Sequence, residues 1–376
     1  MLDNVLAGIL RNDGTPVAAL LSYDPETVLV RADYHGVLPL LAHRLCAASG
    51  VPPALASRLH EEANRELAAD IIREQEIVTA LSAFADRGIV ALLLKGVHLA
   101  YRWYERPDLR PRLDTDVLVA ADARAEVDDV LHSLGYECPG HSTGELLTYQ
   151  AAYVRRREGL LVSVFDIHWR IANPQVFGGL LFHEELASES VPVPQLGPRV
   201  RALSAVDALL LACVHRVAHH YDSDRLIWLY DIHLVASEFS PADWECFLRL
   251  VERRKVGAVC RRSLEQTVRR FHTPIPEAVL ADARLCRPAS HEASAAYVNP
   301  RRHVQNVMDD LAALPNWRDR IKLVREHLFP SPHYMREVYA ISSRAPLPVL
   351  YAKRALRGAR RWLDRVPVDN DAAEIR

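Results

Sequence analysis

Residues 89–119 have the sequence IVALLLKGVHLAYRWYERPDLRPRLDTDVLV, and our expectation for the whole fold starts from them. Two apolar runs, 89–94 and 117–119, enclose a helix-like segment that begins after Lys95 and Gly96. Short apolar runs bounded by charged or turn-forming residues are typical of buried strands. The polar residues stand where these strands end or begin, and ligands tend to bind there in sheets flanked by helices. The stretch therefore predicts a sheet with a binding site at its strand ends.

Two aspartates open the second apolar run. Because successive side chains of a strand point to opposite faces, Asp114 and Asp116 are expected to share one face while Thr115 points away. Two carboxylates held together repel each other unless a cation lies between them. Carboxylate oxygens suit Mg²⁺, which proteins bind through one or two carboxylates together with substrate phosphates. Asp114 and Asp116 are therefore candidate metal ligands.

Basic residues near this pair are candidate phosphate ligands. Lys95 is one of only four lysines in the chain, and it closes an apolar run, where a charge needs a partner. Gly96 allows the backbone to approach a ligand closely. Arg110 precedes Asp114 by four residues in a proline-containing segment. Lys95 and Arg110 either contact phosphate or form ion pairs that orient the aspartates, and the sequence leaves both interpretations open.

A third carboxylate lies in the best strand candidate of the chain, residues 160–171, LLVSVFDIHWRI. Alternation from residue 165 onward predicts an apolar face directed into the core and a polar face directed toward a site. We expect Asp166, His168 and Arg170 on the polar face, and Phe165, Ile167, Trp169 and Ile171 on the apolar face.

These motifs together resemble a known family. The order L-K-G, then R-P-x-x-D-x-D-x-L-V, then D-x-H-W-R is similar to that of an uncharacterised bacterial nucleotidyltransferase family within the polymerase-β-like nucleotidyltransferase superfamily. The match continues into His215 and His219, residues 224–233 and residues 328–330. It spans most of the chain from about residue 89 to about residue 330, and the specificity lies in the combination of short motifs.

The resemblance implies a mixed sheet with a three-carboxylate metal site. Asp114 and Asp116 then correspond to the paired metal ligands, and Asp166 to the third carboxylate. Lys95 and Gly96 stand near the position where the superfamily has a Gly-Ser or Gly-Gly pair that holds the triphosphate. The chain departs from that pattern, because Val97 follows Gly96 and offers no hydroxyl to a phosphate.

The first functional hypothesis is a nucleotidyltransferase that uses Mg²⁺ or Mn²⁺ and an NTP. A hydroxyl acceptor attacks the α-phosphate, Asp166 acts as base, and pyrophosphate leaves. Lys95, Gly96 and Arg110, with His168 and Arg170 on the face of Asp166, are the expected nucleotide-binding residues. Two alternatives remain: a module that binds a nucleotide or a partner without chemistry, and an enzyme that transfers a nucleotide onto a protein side chain.

Composition limits the remaining classes. The chain has 376 residues, 49% of them hydrophobic, which is enough for two or three cores. Its net charge of −2 gives no global field favouring nucleic acid or acidic membranes. No segment has the pattern of a signal peptide or a membrane span. Six scattered cysteines without a C-x-x-C motif suggest reduced thiols, and we expect a cytoplasmic protein.

The expected fold class is α+β, with a mixed-sheet nucleotidyltransferase core between helical regions. We predict an N-terminal helical segment over 1–88, the core over 89–200, a helical domain over 201–330, and a basic C-terminal tail over 331–376. The acceptor, the preferred NTP and the oligomeric state are not indicated by the sequence.

Several further residues allow both a structural and a functional interpretation. His215 and His219 are spaced to share one helix face, which favours packing between helices over lining of the cleft, with zinc binding the least favoured. Asp231 and His233 are interpreted in the same way. A basic helix over 350–362 is interpreted as a solvated surface helix, with membrane or RNA contact as the alternative.

Overall fold

The fold is α+β, as the sequence predicted, with one six-stranded mixed sheet between two sets of helices. Within the part of the chain described here, no helix combines the length and the apolarity that crossing a bilayer requires. The six cysteines form no disulfide. The computed structural model describes residues 2–12, 14–15, 17–46, 48, 50–139, 144–286, 292–299, 302–339 and 346–363.

The N-terminal region is helical, and its last helix is 34 residues long. The long amphipathic helix predicted for residues 61–84 is confirmed, although it begins earlier, where Pro53 can occupy the first helical position. Its C-terminal half buries Ile77, Leu81 and Phe84 against the sheet. The region contains α1 (Leu2–Arg11), a 3₁₀ helix (Val17–Ser22), α2 (Pro25–Tyr34), α3 (Leu38–Leu45) and α4 (Pro53–Asp86).

The sheet has the spatial order β3-β4-β2-β1-β6-β5. Strand β2 is parallel to β4 and antiparallel to β1, and β1 is parallel to β6. Both outer pairs, β3 with β4 and β5 with β6, are antiparallel. The strands are β1 (Leu92–Leu93), β2 (Thr115–Leu118), β3 (Gln150–Arg157), β4 (Leu160–His168), β5 (Val191–Pro192) and β6 (Arg201–Ala202).

Four helices connect these strands. The helix expected after Gly96 is confirmed as α5, and it begins at Lys95 itself. The segment 191–198, which has the composition of a loop, instead supplies edge strand β5 and a 3₁₀ helix. The helices are α5 (Lys95–Arg102), α6 (Arg124–Ser133), α7 (Gln175–Gly178) and α8 (His183–Ser188), with 3₁₀ helices at Pro107–Leu109, Ala121–Ala123 and Pro194–Leu196.

The two faces of the sheet bury different cores. Leu93 and Val117 pack with α4 and α6 on one face. Leu92 and Leu118 pack on the other face with the helices that follow the sheet. This alternation explains why the short apolar runs lack a polar position: both faces of these central strands are covered.

Strands β3 and β4 form the predicted hairpin, with Glu158 and Gly159 as its turn. The expected length of β4 is wrong, because the strand ends at His168 and not at residue 171. After Trp169 donates its backbone N–H to the carbonyl of Tyr149, the chain leaves the sheet. Alternation therefore stops there, and Ile171 is buried in the core on the face opposite to that of Ile167.

After the sheet, the described residues up to Leu363 are mainly helical. Serine is a favoured helix cap, and Ser204 caps the first of these helices by accepting a hydrogen bond from the backbone N–H of Asp207. The helices are α9 (Ala205–Ala218), α10 (Leu226–Ser237), α11 (Pro241–Arg254), α12 (Gly257–Phe271), α13 (Glu277–Leu280), α14 (Ala283–Cys286), α15 (His303–Ala313), α16 (Trp317–Leu328), α17 (Pro332–Tyr339) and α18 (Leu347–Leu363), with a 3₁₀ helix at Ala293–Val298.

One hydrophobic core contains side chains from the N-terminal helices and from the helices that follow the sheet. Leu6 and Leu41 from the N-terminal helices pack in the same cluster as Leu210 and Phe247 from the later helices. The sheet itself extends to Ala202 in β6. The division into four segments stays a prediction, as does the role of the basic helix, now α18, whose side chains at 357 and 359–363 lie outside the described residues.

Candidate functional site

Two aspartates from distant parts of the sequence lie side by side in the sheet. Parallel strands β2 and β4 pair with Asp116 directly opposite Asp166. His168 follows Asp166 by two residues, so it lies on the same face. This face also carries Leu118, which packs toward the helices that follow the sheet. The register alone therefore directs an acid pair and an imidazole toward the helical region.

The three side chains contact one another and Lys95. The ammonium of Lys95 donates to Asp116 Oδ1 over 2.7 Å. His168 Nε2 lies 2.8 Å from the same oxygen and 3.4 Å from Asp166 Oδ2. Asp116, Asp166 and His168 are all buried. Buried charges of both signs are thus held in one compact cluster.

The charges of this cluster stabilise one another. Burial disfavours the ionised form of Asp116, but Lys95 and His168 outweigh it and hold the pKa of the carboxyl well below its usual range. Burial likewise opposes the charge of His168, as does Lys95, whereas hydrogen bonds with Asp116 and Asp166 raise its pKa. For Lys95, the attraction of Asp116 and Asp166 exceeds the cost of burial and raises its pKa. Lys95 and Asp116 are consequently an ion pair at neutral pH.

Asp114 lies just before β2 and is partly buried. Burial, followed by repulsion from Asp116, raises the pKa of its carboxyl to about 6. Lys95 and His168 act in the opposite direction, and Asp166 adds to the repulsion. The charges of Lys95, Asp116, Asp166 and His168 therefore all act on Asp114, which immediately precedes β2.

The donor set can hold a metal ion. Ligand atoms of Asp116, Asp166 and His168 lie within 4.8 Å of one another. Asp166 Oδ1 is buried and has no hydrogen-bond partner among the residues that the structure describes. Native proteins rarely leave such an oxygen unpaired, so this oxygen is available to a bound group. Sequence reasoning named Asp114 as a ligand and His168 as a nucleotide-binding residue, whereas the geometry brings His168 into the ligand set.

Gln150 is a site residue that sequence reasoning missed. Its side-chain amide donates to Asp166 Oδ2 over 2.6 Å, and its carbonyl oxygen lies 3.4 Å from Asn173 Nδ2. Gln150 pairs with His168 across the β3–β4 hairpin. The amide thus occupies one oxygen of Asp166 and leaves Oδ1 directed elsewhere.

Arg110 forms an ion pair outside the acid cluster. Its guanidinium donates to both carboxylate oxygens of Asp231 on α10, over 2.8 and 3.1 Å, and Tyr104 donates to the same carboxylate. A side-chain carbon at Gly96 would lie 3.1 Å from Arg110 Nη1, so Gly96 gives room to this guanidinium. Of the two sequence-based interpretations, the contacts favour a structural ion pair, with Asp231 as the partner.

Arg170 lies beyond the end of β4. Because β4 ends at His168, Arg170 does not continue the polar face, and its guanidinium lies over the ring of Tyr149 at 4.3 Å from the centroid. Such cation–π stacking holds the side chain at the end of the hairpin. The expectation that Arg170 shares a strand face with Asp166 is therefore wrong, and its role in nucleotide binding stays a prediction.

The histidines singled out by the sequence differ in position. His233 contacts Thr273 Oγ1 over 2.9 Å and stacks on Phe271, which is packing between helices. His215 and His219 instead lie where the positive charge of Lys95 lowers their pKa values further below the level that burial sets. Helix α9 also packs against α5, which begins with Lys95, so these two imidazoles border the acid cluster.

Comparison with known proteins agrees with this geometry. A search of curated proteins returned no match. The profile of a family described as uncharacterised nucleotidyltransferase matches residues 22–272, which include every residue of the cluster and helices α2 to α12. The match covers well over half of the sequence, and the chain belongs to this uncharacterised nucleotidyltransferase family.

Proposed function

We propose that this protein is a metal-dependent nucleotidyltransferase that moves a nucleoside monophosphate from an NTP to a hydroxyl acceptor. The observation that carries the proposal is the register of β2 with β4, which sets Asp116 beside Asp166 in a buried pair. Membership of the family supports transferase chemistry. The identity of the ion, the NTP and the acceptor class belong to the proposal.

The residues present fit a divalent ion. Asp116, Asp166 and His168 offer ligand atoms close together, and Asp166 Oδ1 lacks a partner among the described residues. Asp114 adds a carboxylate whose pKa is raised by burial and, after that, by repulsion from Asp116. Carboxylates suit Mg²⁺ and Mn²⁺, and an imidazole suits transition metals better than Mg²⁺. When bound, the ion supplies positive charge to phosphate oxygens.

Asp166 is the proposed base. The acceptor oxygen forms a bond to the α-phosphorus, the bond from that phosphorus to the bridging oxygen breaks, and pyrophosphate leaves. The acceptor proton passes to Asp166, whose Oδ1 is directed away from Gln150 and is free of other described partners. Lys95, already charged beside Asp116, neutralises negative charge on the bound phosphates.

The same cluster also gives a reason to consider a binding module without chemistry. Lys95 and His168 by themselves compensate the negative charge of the buried carboxylates. A nucleotide bound with metal but never consumed, whichever hydroxyl acceptor is supplied, would favour this second function. Transfer onto a protein hydroxyl is the third possibility, and an added nucleotide mass on a co-purified protein would identify it.

Turnover of NTPs tests the proposal. Pyrophosphate release is measured with Mg²⁺ and with Mn²⁺ for the parent, Asp116→Asn and Asp166→Asn. We expect both variants to lose at least about 100-fold in rate, because each removes a carboxylate aligned with the reacting groups. Parent-like turnover by Asp116→Asn would refute the mechanism.

Asp128→Asn is the matched control. Asp128 is a carboxylate on α6, which covers the opposite face of the sheet, and it accepts a hydrogen bond from Tyr153. The substitution removes one negative charge on the opposite side of the sheet and leaves the cluster of Asp116, Asp166 and His168 unchanged. It is expected to leave pyrophosphate release unchanged, so a general effect of lost negative charge is separated from the loss of the site.

A further inference from the structure

Helix α9 presents two histidines to the acid cluster. His215 and His219 are one turn apart, so they share a face of the helix end. The helix packs against α5, which begins with Lys95. Asp116, Asp166 and His168 lie on the sheet face that is directed toward the same helices. The two imidazoles therefore lie beside the acid cluster, on the side of the helices that follow the sheet.

Contacts fix these rings but leave one nitrogen of each unused. His215 Nε2 lies 3.0 Å from His220 Nε2, and His220 stacks on Trp228 with centroids 3.7 Å apart. The rings of His215 and His219 are 5.0 Å apart. His215 Nδ1 and His219 Nε2 are shielded from solvent and have no hydrogen-bond partner among the described residues. Buried polar atoms normally have a hydrogen-bond partner. Two neighbouring nitrogens without one, next to the acid cluster, therefore require an explanation.

The protonation state limits what these nitrogens recognise. Burial is the main cause that lowers the pKa of each imidazole, and the positive charge of Lys95 lowers it further. A neutral imidazole carries one donor and one acceptor nitrogen. A hydroxyl group, which both donates and accepts, satisfies either nitrogen, whereas an ionised phosphate oxygen only accepts.

We propose that His215 and His219 bind a hydroxyl-bearing part of a substrate beside the Asp116–Asp166 pair, through His215 Nδ1 and His219 Nε2. The inference rests on the proposed function, because it is that reaction which brings hydroxyls to the cluster. The ribose of the nucleotide and the acceptor are the two sources of such hydroxyls. Both present the same chemistry, and analogues separate them.

Nucleotide affinity distinguishes the sources. Calorimetry with Mn²⁺ compares an NTP with its 2′,3′-dideoxy analogue for the parent, His215→Ala and His219→Ala. If the ribose is bound, each variant loses about 3- to 10-fold in affinity for the NTP and little for the dideoxy analogue, since one hydrogen bond is removed. If the histidines instead bind the acceptor, the affinity of each variant for the nucleotide is unchanged. Glycerol then serves as the hydroxyl acceptor in the pyrophosphate-release assay, and its KM rises by a similar factor in each variant.

Conservative variants and a control exclude a merely structural role. A glutamine amide reaches the position of an Nε2 atom, so His219→Gln is expected to restore most of what His219→Ala loses. His233→Ala, on neighbouring α10 and bonded to Thr273, is expected to change none of these quantities.

The outcomes separate this inference from the function on which it rests. A parent that binds NTP with Mn²⁺, together with histidine variants that match it in both affinity and glycerol KM, would overturn the inference alone. A parent that neither binds nor consumes NTP would overturn the proposed function and this inference with it.

Discussion

Asp114 is the residue whose charge is least compensated at the site. Its pKa of about 6 lies above the usual aspartate value because the carboxyl is partly buried and because Asp116 repels it. The folded protein therefore binds a proton at Asp114 that the unfolded chain has already released between about pH 4 and pH 6. Without metal, ionised Asp114 destabilises the fold at neutral pH.

Replacing Asp114 by asparagine should stabilise the metal-free protein. At pH 7.5 in the presence of a chelator we expect the free energy of unfolding to rise by about 1 to 2 kcal/mol, since the substitution removes the unfavourable charge. The gain should shrink as pH falls through 6 and vanish only below about pH 3, where the carboxyl is protonated in both the folded and the unfolded state. Urea denaturation across this pH range measures it, and a loss of stability at pH 7.5 would contradict this electrostatic explanation.

Lys95 illustrates what sequence could and could not predict for a single residue. Its position after an apolar run indicated a buried charge in need of a partner, and Asp116 is that partner. Its backbone has a φ of +47°, an uncommon conformation for a residue with a side chain, and no local pattern indicates it. Backbone conformation at this point is set by the packing of α5 against the sheet, which is a tertiary contact.

The β3–β4 turn is the clearest local feature at the scale of elements. Glu158 and Gly159 both have positive φ values, +53° and +81°. Two central residues of this kind define the turn type whose twist matches the strands, and Asn-Gly is its preferred sequence. Glycine tolerates this conformation, whereas glutamate does so at a cost.

Glu158→Asn should therefore stabilise the protein. We expect a gain of about 0.5 to 1 kcal/mol in the free energy of unfolding, because asparagine adopts left-handed backbone more readily than glutamate. Chemical denaturation measures the change. Glu158→Gln, which removes the same charge but keeps the backbone preference, is the control, and an equal gain in both variants would show that charge is responsible.

The hairpin also shows where alternation stops being informative. Residues 165–168 alternate between the two faces as predicted, so Asp166 and His168 lie together on one face. A register shift between Arg155 and Arg156 in β3 moves Gln150 opposite His168. Without that shift, counting back from the two-residue turn pairs Gln150 with Ile167 on the core face. A bulge leaves no mark in the hydrophobic pattern, and the contact with Asp166 was therefore missed.

At the scale of the whole molecule, one buried ion pair ties the segment before β2 to the helical region. Arg110 and Asp231 form a bidentate pair, and both are well shielded from solvent. Removing one partner of a buried pair leaves an uncompensated charge. The pair therefore fixes the segment that leads to Asp114 against α10.

A double-mutant cycle tests this link. Arg110→Met and Asp231→Asn are each expected to cost about 3 to 5 kcal/mol in the free energy of unfolding, and the double variant clearly less than their sum. The exposed pair Arg199–Asp86 is the control, with a coupling of at most about 1 kcal/mol. Additive losses at Arg110 and Asp231 would show that the pair is not coupled in solution.

Long-range assembly explains most of what the sequence left open. The helical character of residues 201–330 was expected from the sequence, but no periodicity indicates that α9 and α10 approach the sheet. Asp231 and Arg110 are 121 positions apart, and only the packed fold brings them together. The order of the motifs supported the family resemblance. The contacts of Arg170 and His168, in contrast, arise only in the folded structure.

Diffraction from crystals grown with Mn²⁺ and a non-hydrolysable NTP analogue tests the central claim most directly. We predict an anomalous peak coordinated by Asp116 and Asp166, at roughly 2.0–2.6 Å from their oxygens and beside the nucleotide phosphates. Bound nucleotide whose phosphates lie away from these two aspartates, with no manganese between them, would contradict the account.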